Sequence, residues 1–211
     1  MKKIILTLVI IALLFGGIYY IKNKKKVAPD TTISRYSNAS VGVSFTFPKI
    51  LSASTTGSTV AIHHEIPYPN NGKCDMMGDT KTYNNLTDFN VTIKVVEKGL
   101  VDTVKEISPY IPQENFVNGE LVASPGFIDP VTIGKWNGYS IYEGAEGCGQ
   151  TTYYFPVSKS QTLVVQKESI QILSGVILNE VRQKVLAVPG VISLEKSEEI
   201  FKNLLETLKV N

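Results

Sequence analysis

Eighteen consecutive residues near the start of the chain, Ile4 to Ile21 (IILTLVIIALLFGGIYYI), carry no charge. Only Thr7, Gly16, Gly17, Tyr19 and Tyr20 interrupt the aliphatics. At the α-helical rise such a run spans roughly 27 Å, close to the hydrocarbon thickness of a bilayer. A segment apolar all round has no polar face to turn to water, so it suits lipid better than one side of a soluble core. Lys2 and Lys3 precede it, Lys22, Lys24, Lys25 and Lys26 follow it, and Tyr19 and Tyr20 fall where interfacial aromatics collect. The run ends in bulky Ile18-Tyr19-Tyr20-Ile21 rather than a small-residue cleavage site, and no cysteine lies near it for lipid attachment. The expectation is an uncleaved single-pass signal-anchor over residues 1–26, a linker over 27–34 and one folded domain over 35–211. Lysines at both ends make the positive-inside rule ambiguous. A short Lys-Lys tail held inside would place the domain outside the cytoplasm.

The anchor also explains the overall charge. Six of the 21 basic residues and none of the 19 acidic ones fall in residues 1–26, so the formal +2 of the whole chain hides a balance of −4 beyond it. A mildly acidic domain without a basic stripe excludes the ordinary electrostatic route to nucleic acid. Its length is enough for one domain with a sizeable core.

Within the domain the dominant period is two. Val41, Val43, Phe45 and Phe47 alternate with small polar residues up to Pro48. Val60, Ile62, His64 and Ile66 alternate over Thr59 to Ile66, and a third strand is expected over Phe89 to Val95. Between the last two lies a polar loop, Pro67 to Asp88. Val101 to Ile107 has the spacing of a short helix. Strand patterns return at Val131 to Ile133, Gly138 to Glu143, Thr151 to Phe155 and Gln161 to Ile172, with glycines 144, 147 and 149 and Ser158 to Ser160 as turns. The connections are too short for parallel crossovers, so the strands should form an antiparallel meander. Leu178 to Leu186 reads as a short helix. Phe201, Leu204, Leu205 and Leu208 line one face of a closing helix that Ser193 or Ser197 can cap. The fold class is α+β: a twisted, mainly antiparallel sheet packed against helices.

Three stretches carry a resemblance. Gly-Val-Ser-Phe-Thr-Phe-Pro (42–48), Ile-Gly-Lys-Trp-Asn-Gly-Tyr (133–139) before a long strand pair, and Ile-Phe-Lys-Asn-Leu-Leu-Glu-Thr-Leu-Lys (200–209) resemble the PsbP-like α/β/α sandwich domains of bacterial exported, membrane-anchored proteins of unknown function. The resemblance covers most of residues 35–210 and implies that fold and a tendency toward interaction modules. It carries over no catalytic residue, since its motifs are hydrophobic patterns.

Candidate chemistry is sparse. Cys74 and Cys148 are the only cysteines, both in polar glycine-containing loops. An even count in an exported domain reads as one disulfide, against two free thiols or a thiol nucleophile beside His63 or His64. Those histidines are neighbours on a strand and point to opposite faces, which disfavours one shared metal ion. His64, on the apolar face, suits a hydrogen-bonded buried imidazole. Asp75, Asp79 and Asp88 lack calcium-loop spacing and read as a solvated loop, and Glu143 and Glu146 flank a turn without a fixed separation. No phosphate loop, dinucleotide fingerprint or nucleophile elbow is present, so no catalytic residue, metal or cofactor is expected.

Aromatic side chains crowd the late hairpin. Trp136, Tyr142 and Tyr154 are the candidate anchors of a partner-binding surface, with the loop around Cys74 as its rim, unless helices cover that face and make the rings core. The functional expectation is a membrane-anchored extracytoplasmic binding or accessory module for a protein or envelope component. The alternative is an envelope-anchored hydrolase whose polar cluster would gather around His63, Glu65 or Cys74.

Overall fold

In a computed structural model the described residues are 32–72, 74 and 81–211. The expected anchor at Ile4 to Ile21, most of the linker, and Asp75 and Asp79 lie outside them. Among the described residues no helix is long and apolar enough to cross a membrane. Thr32–Asn211 forms one compact unit.

The alternating segments become strands, and strands supply most of the regular secondary structure. The chain opens with the hairpin β1 (Ile33–Asn38) and β2 (Val43–Pro48). Asn38 turns it, its side-chain oxygen accepting from the Ser40 N–H (2.9 Å) and hydroxyl (2.6 Å). Ile33 and Ser34, read as linker from sequence, already belong to β1. There follow β3 (Ser52–Thr56), β4 (Thr59–Ile66) and β5 (Leu86–Val96), then the helix α1 (Leu100–Ile107). A small ribbon, β6 (Phe116–Val117) with β7 (Glu120–Leu121), leads into the meander β8 (Ile128–Ile133), β9 (Trp136–Glu143), β10 (Gln150–Ser158) and β11 (Gln161–Glu168). Two helices, α2 (Asn179–Leu186) and α3 (Leu194–Thr207), and the short β12 (Lys209–Val210) complete the described chain. Ser193 caps α3, its hydroxyl oxygen accepting from the Lys196 N–H.

Seven strands form one antiparallel sheet in the order β3-β4-β5-β11-β10-β9-β8, and β1-β2-β12 form a second. On one face of the large sheet Val60, Ile62, Phe89, Val91, Leu163, Val165 and Phe155 share a core with Val43, Phe45 and Phe47 of β2 and Ile200, Phe201, Leu204 and Leu205 of α3. On the other face Ile141, Tyr154 and Val164 pack with Val104 of α1 and with Ile111, Leu121 and Ile128. The expected α+β sheet-on-helix architecture is present, with both sheet faces covered.

One irregularity positions a buried acid. The β4–β5 register shifts between His64 and Glu65, so Asp88 has no partner across the ladder. Asp88 is 1% exposed, because β5 begins at Leu86 and carries it inside the fold. The solvated-loop expectation for this residue is therefore corrected. Its carboxylate accepts from the Ile192 N–H at 2.7 Å and pairs with Nδ1 of His64 at 2.6 Å.

Candidate functional site

Two clefts meet at the end of β11, one on each side of the large sheet, sharing Glu168 and Ser169 as a common wall. The turn between β9 and β10 builds one of them. Gly149 takes φ +99°, and a Cβ there would collide with the Glu143 carbonyl, so the turn needs glycine. Cys148 in this turn is bonded to Cys74, 74 residues earlier, with Cα atoms 5.6 Å apart. The disulfide reading of the two cysteines holds, and no described cysteine is free. The Tyr142 hydroxyl donates to the Cys148 carbonyl at 2.6 Å, bracing the same turn. The resulting groove, about 340 Å³, is lined by Cys74, Cys148, Glu143, Gln150 and the shared wall.

Behind this groove lies a closed polar network. The Ser108 hydroxyl donates to Glu143 at 2.9 Å and lies 2.7 Å from the Tyr154 hydroxyl; Tyr110 donates to the same Glu143 oxygen, and Gln150 donates to the other. Burial pushes the Tyr154 phenol up to about 12. Burial also raises the Tyr110 phenol, with its hydrogen bond to Glu143 adding to the shift.

The second cleft lies on the opposite face, between the first turns of α3 and the ends of β10 and β11, with a volume of about 220 Å³. Lys167 occupies an inward strand position in line with Leu163 and Val165 and is 9% exposed. Its ammonium lies 5.9 Å from the centre of the Phe201 ring and donates to Glu198 at 2.6 Å. Burial, followed by the Glu198 charge, pushes the Tyr153 phenol in this cleft up to about 12. Asp88 lines the cleft, and Ile170, Leu173 and Leu194 supply apolar wall.

The aromatic anchors expected from sequence divide. Tyr142 is 40% exposed, at the disulfide turn. Tyr154 is fully buried and Trp136 is buried, and both are corrected from surface to core. The cause is the covering of both sheet faces: α1 and the segment after it close over Tyr154, while the Trp136 indole N–H donates to the Leu205 carbonyl of α3 at 3.0 Å. His63 and His64 separate as their alternation requires, His63 lying against the Ser52 hydroxyl and His64 against Asp88. Among the described residues no group of three or more His, Cys, Asp or Glu could hold a metal ion.

Sequence reasoning passed over Lys167, Glu198, Ser108 and Tyr110. For Lys167 a signal existed: a charge at an inward position of an otherwise aliphatic strand.

No family model matches the chain. No curated protein matches it either. Among solved structures, a protein from Bacteroides thetaiotaomicron VPI-5482 is similar at 10% identity and a TM-score of 0.41, over 84% of this chain and 48% of that one, so this chain spans about half its length. The cyanobacterial PsbP (CyanoP) from Synechocystis sp. PCC 6803 is similar at 9% identity and a TM-score of 0.40, over 88% of this chain and 96% of that one.

Proposed function

We propose that this chain is a membrane-tethered binding or accessory module, anchored by Ile4 to Ile21, whose folded domain lies outside the cytoplasm and recognises a protein or envelope component. The observation that carries the reading is the Cys74–Cys148 disulfide. Such bonds persist in oxidising compartments and are rare in reducing ones. It also braces an exposed turn that carries Tyr142 beside a groove, a rigid surface of the kind binding needs. The ionisable groups around both clefts support binding over catalysis. Lys167 pairs with Glu198, His64 with Asp88, and Glu143 with two hydroxyls, so each of these ionisable groups is held in place by a partner within the fold. A catalytic acid or base would need reach to a substrate proton.

A photo-crosslinking residue at position 142, in intact cells, tests the reading. A discrete crosslinked product is expected, together with retention of the full chain in membranes after a carbonate wash and digestion of the domain by protease added outside. Release by carbonate would remove the anchor. Protection from external protease would reverse the orientation. Absence of any product specific to position 142 would remove this surface.

A further inference from the structure

The cleft beside Lys167 contains polar groups that the fold does not use. An ammonium has three donors, and the one hydrogen bond of Lys167 to a described residue goes to Glu198. Glu198 uses one carboxylate oxygen for it and is 57% exposed. Ser197 is only 7% exposed, lines the cleft, and its hydroxyl has no hydrogen-bond partner among the described residues. The Tyr153 hydroxyl has none either. Among the described residues only Arg182 Nε is both buried and without a hydrogen-bond partner, so the Ser197 and Tyr153 hydroxyls are open to solvent within the cleft, where a ligand can bond them.

The charges decide which kind. Three carboxylates and one ammonium face the space, yet none of them is uncompensated. Asp88 is held by His64 and a backbone N–H, Glu198 holds Lys167, and Glu168 has an interaction of its own. A bare anion would meet three carboxylates, and a bare cation would meet a buried ammonium. A neutral ligand with alternating donors and acceptors meets neither obstacle. The Lys167–Glu198 pair, 2.6 Å apart, presents a donor beside an acceptor, which matches two adjacent hydroxyls of one ring. Ser197 and Tyr153 can serve further hydroxyls, while Ile170, Leu173 and Leu194 suit the C–H faces. The volume of about 220 Å³ lies below the roughly 300–1,000 Å³ of drug-sized pockets, so one ring is the fitting unit.

We propose that this cleft binds a neutral polyol, a single sugar ring engaged through a vicinal diol by Lys167 and Glu198. The proposal rests on the binding reading above and names one ligand chemistry for it. It is tested on the full chain, in a detergent without a sugar headgroup, by NMR titration with trans-1,2-cyclohexanediol, methyl β-D-glucopyranoside, cyclohexanol, acetate and glycine. Saturable binding of the diol or the glucoside is expected, with cyclohexanol inert. Lys167→Met should weaken it about tenfold or more, the scale of a lost charge-assisted hydrogen bond. Ser197→Ala gives the same reading more weakly if Lys167→Met does not fold. The proposal is overturned if neither diol nor glucoside binds, if binding ignores both substitutions, or if acetate or glycine is preferred. Failure here with crosslinking at position 142 intact removes the sugar and leaves the binding module. Release of methanol from the glucoside would instead remove the binding module.

Discussion

The two ends of the large sheet's faces treat buried polarity in opposite ways. On the α1 side, Tyr154, Ser108, Tyr110, Gln150 and Glu143 form a network in which each hydroxyl has a partner within the fold. On the α3 side, Lys167 keeps donors to spare, Ser197 and Tyr153 have none of their hydroxyl bonds made by described residues, and about 220 Å³ stands open beside them. A saturated network rigidifies a core, and an unsaturated one leaves capacity for a ligand. The difference makes the network around Glu143 a structural element and leaves open polar capacity at the α3 cleft, where the sugar proposal rests.

The strongest way to break that division is Tyr154→Ala. The ring is fully buried, so the cavity and the stranded Ser108 and Glu143 should cost about 4 kcal/mol in chemical denaturation. A loss under about 1 kcal/mol would return Tyr154 to the surface. Next in size is the disulfide. Cys74→Ser or Cys148→Ser should each lower stability by about 3 kcal/mol and by equal amounts, because either removes the same link. Unequal losses would show that one sulfur has a packing role of its own.

Tyr154→Phe sharpens the comparison at smaller scale, since it deletes only a hydroxyl from a closed network. A loss of about 1 kcal/mol is expected, and a double-mutant cycle with Ser108→Ala should be non-additive. The same phenol sets a pH dependence. Its folded value of about 12 lies above the ordinary 10.0, so folding favours the protonated form. That stabilisation is complete below pH 10 and is lost as pH rises from 10 toward 12. Tyr153, also raised to about 12, acts in the same window. Denaturation midpoints should fall across that window in the parent and less steeply in Tyr154→Phe. Last comes Glu198→Ala, which leaves the nearly buried Lys167 ammonium without its partner beside an open cleft; a loss of about 1 kcal/mol is expected. A cost as large as that of Tyr154→Ala would make this pair structural and dissolve the contrast.

Much of the architecture was legible in the sequence because period-two alternation and the Phe201–Leu208 spacing report burial directly. The antiparallel meander followed from short connections, and the disulfide from a cysteine count of two. What escaped detection depended on contacts distant in sequence. Asp88 looked like loop because nothing local signals a register shift, and its partners His64 and Ile192 are 24 and 104 residues away. Trp136 and Tyr154 looked available because alternation assigns a face without saying whether that face is covered. Strand β3 (SASTT) has too few apolar residues to show a period. The Lys167–Glu198 pair joins a strand to a helix 31 residues on, beyond any local pattern.

The second sheet has a consequence for synthesis. Strand β2 pairs with β1 on one side and β12 on the other, and the Asn211 N–H donates to the Gly42 carbonyl. The apolar face of Val43, Phe45 and Phe47 is sealed in part by α3. A chain emerging from its N-terminus therefore carries this hairpin uncovered while roughly 150 more residues are made, roughly 7–30 s at ordinary elongation rates. The first strands to be translated are among the last to be buried, and until α3 arrives their aromatic face is a sticky surface that a holding chaperone would have to cover.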